Sequence, residues 1–178
     1  MKLIPYSRQS ISKSDITSVV KTLKSNYLTT GPKISEFEEA LAEYCNCKYA
    51  VAVNNGTAAL HLANIVMGVT SDVGVLTSPI TFLSTSNSVI MSGGHPFFAD
   101  IDQESFLIDP KAVKKITTNN PQIKGIIPVH LGGIVADLEG LYEIAQEQNL
   151  WIIEDACHAI GGEWNDSQGN LHRVGDCS

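Results

Sequence analysis

No stretch of the 178-residue chain approaches the roughly 20 consecutive apolar residues that a membrane-spanning helix needs. The opening MKLIPYSRQS also has no apolar run long enough for a secretory leader. A cytoplasmic protein without membrane contact is therefore the expectation. Basic residues are scarce: 12 Lys and Arg stand against 19 Asp and Glu, a formal charge of −7. Without a basic stripe nothing can track a phosphate backbone, so nucleic acid is not an expected partner. Cysteine occurs four times, at 45, 47, 157 and 177. The Cys45-x-Cys47 pair has the spacing of neither a redox motif nor a zinc hairpin, and reduced thiols are expected. Cys157, His158, His172 and Cys177 match no usual zinc-ligand pattern, so no metal is expected. Walker and G-x-G-x-x-G loops are missing, which disfavours ATP and dinucleotide binding by those routes. There is no internal repeat, low-complexity tract or linker.

What is present is 43% hydrophobic and 17% charged, the balance of one globular domain or part of a larger one. Two periodicities alternate along it. Short β-rich runs stand at 48–55 (KYAVAVNN), 73–79 (VGVLTSP), 95–101 (HPFFADI), 125–130 (GIIPVH) and 150–156 (LWIIEDA). Helical patterns lie between them. SEFEEALAEYC opens on Ser35 with Glu38 three residues on, the spacing of a capping box, and aligns Phe37, Leu41 and Tyr44. DLEGLYEIAQEQ starts at Asp137 and aligns Leu138, Leu141, Ile144 and Ala145. Strands separated by helix-length segments predict an α/β fold with a largely parallel sheet covered by helices on both faces. The first 34 residues differ: one amphipathic helix, about 14–25, lies between extended segments, an arm ahead of the domain.

Ligands of open α/β sheets bind beyond the carboxyl ends of the strands, which directs attention to three places. Gly56, Thr57 and Ala58 follow the first run and open a helix, where N–H groups without intrahelical partners form a seat for an anion. The same residues also suit a plain capped turn. Phe82 follows the second run in TSPITFLSTSN, where a ring either stacks on a flat ligand or fills the core. Asp155 ends the last run beside Glu154. A buried carboxylate there needs a cation, and the later basic side chains are only Arg173 and the histidines. A protonated pyridine nitrogen of a ligand would serve, with His158 near another ring substituent. A helix-capping Asp is the alternative.

An anion seat, a stacking ring and a buried acid together describe a pyridoxal 5′-phosphate site. LTTGPKISEFEEALAEY, AVAVNNGTAAL, SPITFLSTSNSVI, PFFADID, GIIPVHLGG and IIEDACHAIGGEW occur in order from end to end. In these stretches the chain resembles the DegT-type sugar-nucleotide aminotransferases, which have the aspartate-aminotransferase type I fold. IPYSRQSISKSDI and EDACHAIGGEW look most like the subgroup that aminates C4 of a UDP-linked 4-keto-6-deoxy-N-acetylhexosamine on the pseudaminic acid pathway. The resemblance implies that Gly56, Thr57 and Ala58 hold the cofactor phosphate, that Phe82 stacks on its ring, that Asp155 pairs with the ring nitrogen, and that His158 contacts the ring hydroxyl. Tyr6, Asn26, Tyr27, Leu28 and Thr29 match the arm that lies over the sugar nucleotide. It further implies glutamate as amino donor, a UDP-sugar as acceptor, a ping-pong reaction, and a homodimer with sites between subunits.

One departure from the family pattern matters. The family's Schiff-base lysine lies on the turn after the VGD motif, and the last lysine here is Lys124, upstream of Asp155. The expectation is an N-terminal portion of a transaminase: an arm over 1–34, an incomplete cofactor-binding domain over 35–178, no small C-terminal domain, and no transamination by the chain alone. Two rivals share the scaffold: a dehydratase with histidine in place of the lysine, and a non-catalytic module that binds a sugar nucleotide.

Overall fold

The computed structural model describes residues 8–176. Its centre is a four-stranded, wholly parallel sheet of β1 (Gly74–Thr77), β2 (His95–Phe98), β3 (Ile123–Ile127) and β4 (Trp151–Ile152), in the order β2-β1-β3-β4. Each crossover carries one helix: α4 (Ser84–Met91), α5 (Pro110–Asn119) and α6 (Leu138–Gln148). Ahead of the sheet come α1 (Lys13–Leu23), α2 (Pro32–Cys45) and α3 (Gly56–Val66). After β4 a short antiparallel hairpin, β5 (Glu163–Asn165) and β6 (Leu171–Arg173), closes the described chain. Among the described residues no helix is long and apolar enough to cross a membrane.

The strands read as unbroken apolar runs because both faces are covered. Successive residues point to opposite sides. Leu76 and Ile126 pack with Val113, Leu141 and Ile144 on the face of α5 and α6, whereas Val75 and Ile127 pack with Leu60 and Val89 on the face of α3 and α4. Neighbouring strands also interlock through one missing side chain. A Cβ on Gly125 would fall 2.2 Å from the indole of Trp151, its register partner in β4, so the ring lies directly over the glycine.

The helix of 137–148 forms as its pattern predicts. The Asp137 side chain accepts from the Gly140 N–H at 3.0 Å, and Leu138, Leu141, Ile144 and Ala145 are its buried residues. In the arm, Ser12 and Asp15 form a reciprocal capping box that starts α1. None of the residues of α1 is buried, and Ile16, Val19, Val20 and Leu23 face outward.

Two expectations are corrected. The capping box at Ser35 and Glu38 does not form: α2 starts earlier, with Gly31 as N-cap and Pro32 in the first turn. Proline fits there because its missing N–H would have had no intrahelical partner. Glu38 instead reaches out of α2 and accepts from the Ala52 N–H at 2.8 Å. The second correction is the run 48–55, which is not a strand. It is unpaired, with Tyr49 and Val51 more than three-quarters exposed, because β-rich composition makes a strand only where a neighbour takes up the backbone groups.

Candidate functional site

Beyond the carboxyl ends of the strands, a cavity of about 800 Å³ collects four loops. Asn55, Gly56 and Thr57 come from the start of α3; Ile80, Thr81, Phe82 and Ser84 follow β1; Val129, His130 and Leu131 follow β3; Asp155, Cys157 and His158 follow β4. Five of the residues singled out from the sequence therefore meet in one place: Gly56, Thr57, Phe82, Asp155 and His158.

The α3 wall is a helix N-terminus aimed at the cavity. Asn55 is the N-cap, and its side chain accepts from the Ala58 N–H at 2.8 Å. The first intrahelical bond runs from the Ala59 N–H to the Asn55 carbonyl. The N–H groups of Gly56 and Thr57 precede that bond and have no intrahelical acceptor, which makes them the donors for an anion. Ala58 does not line the cavity. Gly56 also solves a local packing problem, since a Cβ there would lie 2.9 Å from the Cys157 sulfur.

Phe82 is three-quarters exposed, so it is not a core residue, and its ring stands at the cavity wall. Asp155 is only 5% exposed. Its backbone extends the β3–β4 ladder: the Asp155 N–H donates to the Pro128 carbonyl at 2.9 Å, and the His130 N–H donates to the Asp155 carbonyl at 3.1 Å. One carboxylate oxygen, Oδ2, accepts from the Thr85 hydroxyl at 2.8 Å; the other, Oδ1, accepts a long bond of 3.4 Å from the Cys157 N–H.

These partners are uncharged. Arg173, the basic side chain later in the sequence, is engaged elsewhere, donating to the Tyr44 carbonyl at 2.8 Å and to Glu163 at 3.1 Å. Among the described residues no lysine or arginine lines the cavity. A hydrogen bond to a charged group contributes about 1.5–3 kcal/mol, against several kcal/mol for withdrawing a carboxylate from water. One hydroxyl thus offsets only part of the cost, and a cation delivered into the cavity would offset the rest.

Cys157 reports the same field. The residue is exposed at the rim, but partial desolvation of its thiol, then its interaction with Asp155 and the charge of that carboxylate, push it up to about 11. His158 is exposed at the mouth, and its Nδ1 accepts from the Gly132 N–H at 3.4 Å, which leaves Nε2 to carry the proton in the neutral ring.

Glu154, whose role the sequence left open, faces the other side of the sheet. Its Oε1 accepts from the Tyr142 hydroxyl at 3.0 Å and its Oε2 from Nε2 of His130 at 2.9 Å. His130 is fully buried, and its Nδ1 accepts from the Ala136 N–H at 3.1 Å, so both ring nitrogens are used. This residue was missed from the sequence although it ends a strand run, the position at which ligand-side residues were sought. A larger hollow of about 980 Å³ beside α6 and β4 is lined by Glu154 and Tyr142, already bonded to each other, and by mostly apolar neighbours.

The arm residues behave differently. Asn26, Tyr27, Leu28 and Thr29 lie exposed in the connection between α1 and α2 and do not line the cavity. Tyr6 lies outside the described residues.

A pyridoxal phosphate group fits what is present: an anion seat at α3, an exposed ring at Phe82, and between them a buried carboxylate without a cation.

The model of the DegT/DnrJ/EryC1/StrS aminotransferase family matches residues 9–178. The spore coat polysaccharide biosynthesis protein SpsC of Bacillus subtilis is 43% identical over 157 residues, 88% of this chain and 40% of that protein. The UDP-4-amino-4,6-dideoxy-N-acetyl-beta-L-altrosamine transaminase of Campylobacter jejuni is 38% identical over 162 residues, 91% of this chain and 43% of that protein. Among solved structures, NtdA from Bacillus subtilis with bound cofactor PMP superposes with a TM-score of 0.79 at 32% identity, covering 85% of this chain and 35% of that one. The chain thus spans about two fifths of the length of these relatives. With the parallel sheet, the loops gathered at its carboxyl edge and a family match over nearly every residue, the chain belongs to the DegT/DnrJ/EryC1/StrS aminotransferase family.

Proposed function

We propose that these residues form the cofactor half-site of a pyridoxal 5′-phosphate-dependent aminotransferase that moves an amino group from glutamate to C4 of a UDP-linked 4-keto-6-deoxy-N-acetylhexosamine. The observation that carries the reading is Asp155: a buried carboxylate at a cavity wall, facing an anion seat and an exposed aromatic ring, with no cation among the lining residues. The similarity to a UDP-altrosamine transaminase supports the choice of sugar.

Bound there, the cofactor supplies an electron sink for charge developing at the carbon that gains or loses the amine. The chain's residues divide the remaining work. Gly56 and Thr57 donate N–H groups to the phosphate, Thr57 adds its hydroxyl, and Ala58 keeps the turn in place through its bond to Asn55. Phe82 covers one ring face, worth about 0.5–1.5 kcal/mol beyond burial. Asp155 keeps the proton on the ring nitrogen, and Nε2 of His158 donates to the ring hydroxyl oxygen. Proton transfer at the reacting carbon requires an amine, and no lysine among the described residues lines the cavity. In this reading residues 35–178 are the N-terminal part of the cofactor-binding domain and the lysine comes from outside the described residues.

The arm over 1–34 then serves a second subunit. Tyr6, Asn26, Tyr27, Leu28 and Thr29 would cover the sugar nucleotide of the partner in a homodimer, which accounts for the position of Asn26–Thr29 away from the lining of this cavity and for the outward apolar face of α1. The reaction belongs in the cytoplasm, where nucleotide sugar, glutamate and reduced thiols coexist.

The test is fluorescence titration of the chain with pyridoxamine phosphate, beside Asp155→Asn and Phe82→Ala. Saturable binding weakened by about tenfold or more in Asp155→Asn supports the reading. Absence of saturable binding in a folded wild-type chain refutes it. The sugar is tested by incubating a natural chain that includes the lysine with glutamate and the UDP-4-keto sugar. A 4-amino product in the mass spectrum is expected, and a 3-deoxy product would replace transamination by dehydration.

A further inference from the structure

Two threonines outside the residues assigned to cofactor contact are connected to Asp155. Thr85, in the first turn of α4, is fully buried, and its hydroxyl lies 2.8 Å from Asp155 Oδ2 and 2.7 Å from the hydroxyl of Thr81. An ionised carboxylate only accepts, so Thr85 must donate to Asp155. Its single proton is then spent, and the bond to Thr81 must be donated by Thr81. The order Thr81 to Thr85 to Asp155 is therefore set by proton counting, and each O–H in such a chain polarises the next.

Thr85 is itself held firmly. Its N–H donates to the Phe82 carbonyl at 3.0 Å, and its own carbonyl accepts from the Ser88 hydroxyl at 2.9 Å. Ser88 in turn accepts from Asn64 of α3 at 3.0 Å. One residue thus joins the segment that carries the stacking ring to the acid, and it is anchored to the helix that carries the anion seat.

We propose that Thr85, backed by Thr81, is the positioning residue of this site: its hydroxyl ties down Oδ2 of Asp155 and leaves Oδ1, which accepts only a long bond, as the oxygen to meet a ligand. Without it the carboxylate would keep the long bond from the Cys157 N–H, which does not fix its rotation. This inference rests on the cofactor reading for its consequence in binding, but the orientation of the carboxylate exists without any ligand.

The experiment compares wild type with Thr85→Val, which removes the hydroxyl at nearly constant volume, Thr85→Ser, which restores it, and Thr81→Val. Two readouts are taken: the dissociation constant for pyridoxamine phosphate, and a crystal structure of each variant without ligand. Thr85→Val is expected to weaken binding about tenfold or more, Thr85→Ser to stay within about threefold of wild type, and Thr81→Val to fall between them. In the Thr85→Val crystal the carboxylate of Asp155 is expected to turn away from the direction it has in wild type. An unchanged carboxylate together with unchanged affinity overturns the proposal. Failure of the wild type itself to bind removes the cofactor reading, and the carboxylate direction in Thr85→Val still decides the positioning role. Should Thr85→Val not fold, Thr81→Val decides: a loss of about threefold or more supports the proposal, and none overturns it.

Discussion

A side chain on Gly56 would begin 2.9 Å from the sulfur of Cys157. The start of α3 and the loop after β4, which carry the anion seat and the buried acid, therefore meet through this sulfur. Gly56→Ala must turn the Cys157 side chain aside or push them apart. The expected cost is about 1–3 kcal/mol of stability with weaker binding of pyridoxamine phosphate, read by urea unfolding and titration. Cys157→Ala in the same chain should recover most of the loss. A lone Gly56→Ala variant as stable as wild type would show that the contact does not constrain the loops.

Cys157 itself should be slow to alkylate. With its thiol pushed up to about 11, only about one molecule in a thousand is ionised at pH 8, so iodoacetamide labelling should be slow and should accelerate steadily toward pH 11. Asp155→Asn removes the neighbouring charge and should speed labelling at pH 8. Peptide mass spectrometry reads both, and rapid labelling of Cys157 in wild type at pH 8 would contradict this account of its surroundings.

The pair of bonds on Glu154 predicts unequal costs. Tyr142→Phe removes one hydroxyl bond and should cost about 1 kcal/mol. Glu154→Ala also strands Nε2 of the fully buried His130 and should cost about 2–3 kcal/mol. Denaturant midpoints at unchanged slope measure both. Equal, near-zero effects would mean that the network is not coupled to the fold.

The hairpin after β4 holds one carboxylate that links stability to acid pH. Bonds from Asn170, aided by those from His172 and the Gln168 N–H, hold the Asp166 carboxyl down at about 2, below its ordinary 3.8. A lowered value in the folded state means that the stabilisation is complete above about pH 4 and is lost as pH falls toward 2. Trp164, stacked on His172 at 4.4 Å, should report the change in its fluorescence over that window. Asp166→Asn should flatten the response, and an acid transition unaffected by that change would assign it to other carboxylates.

Much of this was legible in the sequence because parallel strands covered on both faces declare themselves as short apolar runs. Leu76 beside Val75 and Ile126 beside Ile127 do so, one of each pair to each face. The run at 48–55 has the same composition without the pairing, since a strand is a property of two segments and only one of them can be read. Gly56, Thr57, Phe82, Asp155 and His158 could be picked out because each follows a strand run. Thr85 could not, because it acts on Asp155 across 70 positions and resembles any other residue of a polar helix turn. The start of α2 departs from the Ser35 and Glu38 pattern because Pro32, lacking an N–H, already suits the first turn.

The most direct measurement is a crystal structure of the chain soaked with pyridoxamine phosphate. The account predicts the phosphate on the N–H groups of Gly56 and Thr57, the ring against Phe82, and the ring nitrogen within hydrogen-bond distance of Asp155 Oδ1. A ligand bound with its ring nitrogen away from Asp155, or a cavity that stays empty at saturating concentration, would contradict it.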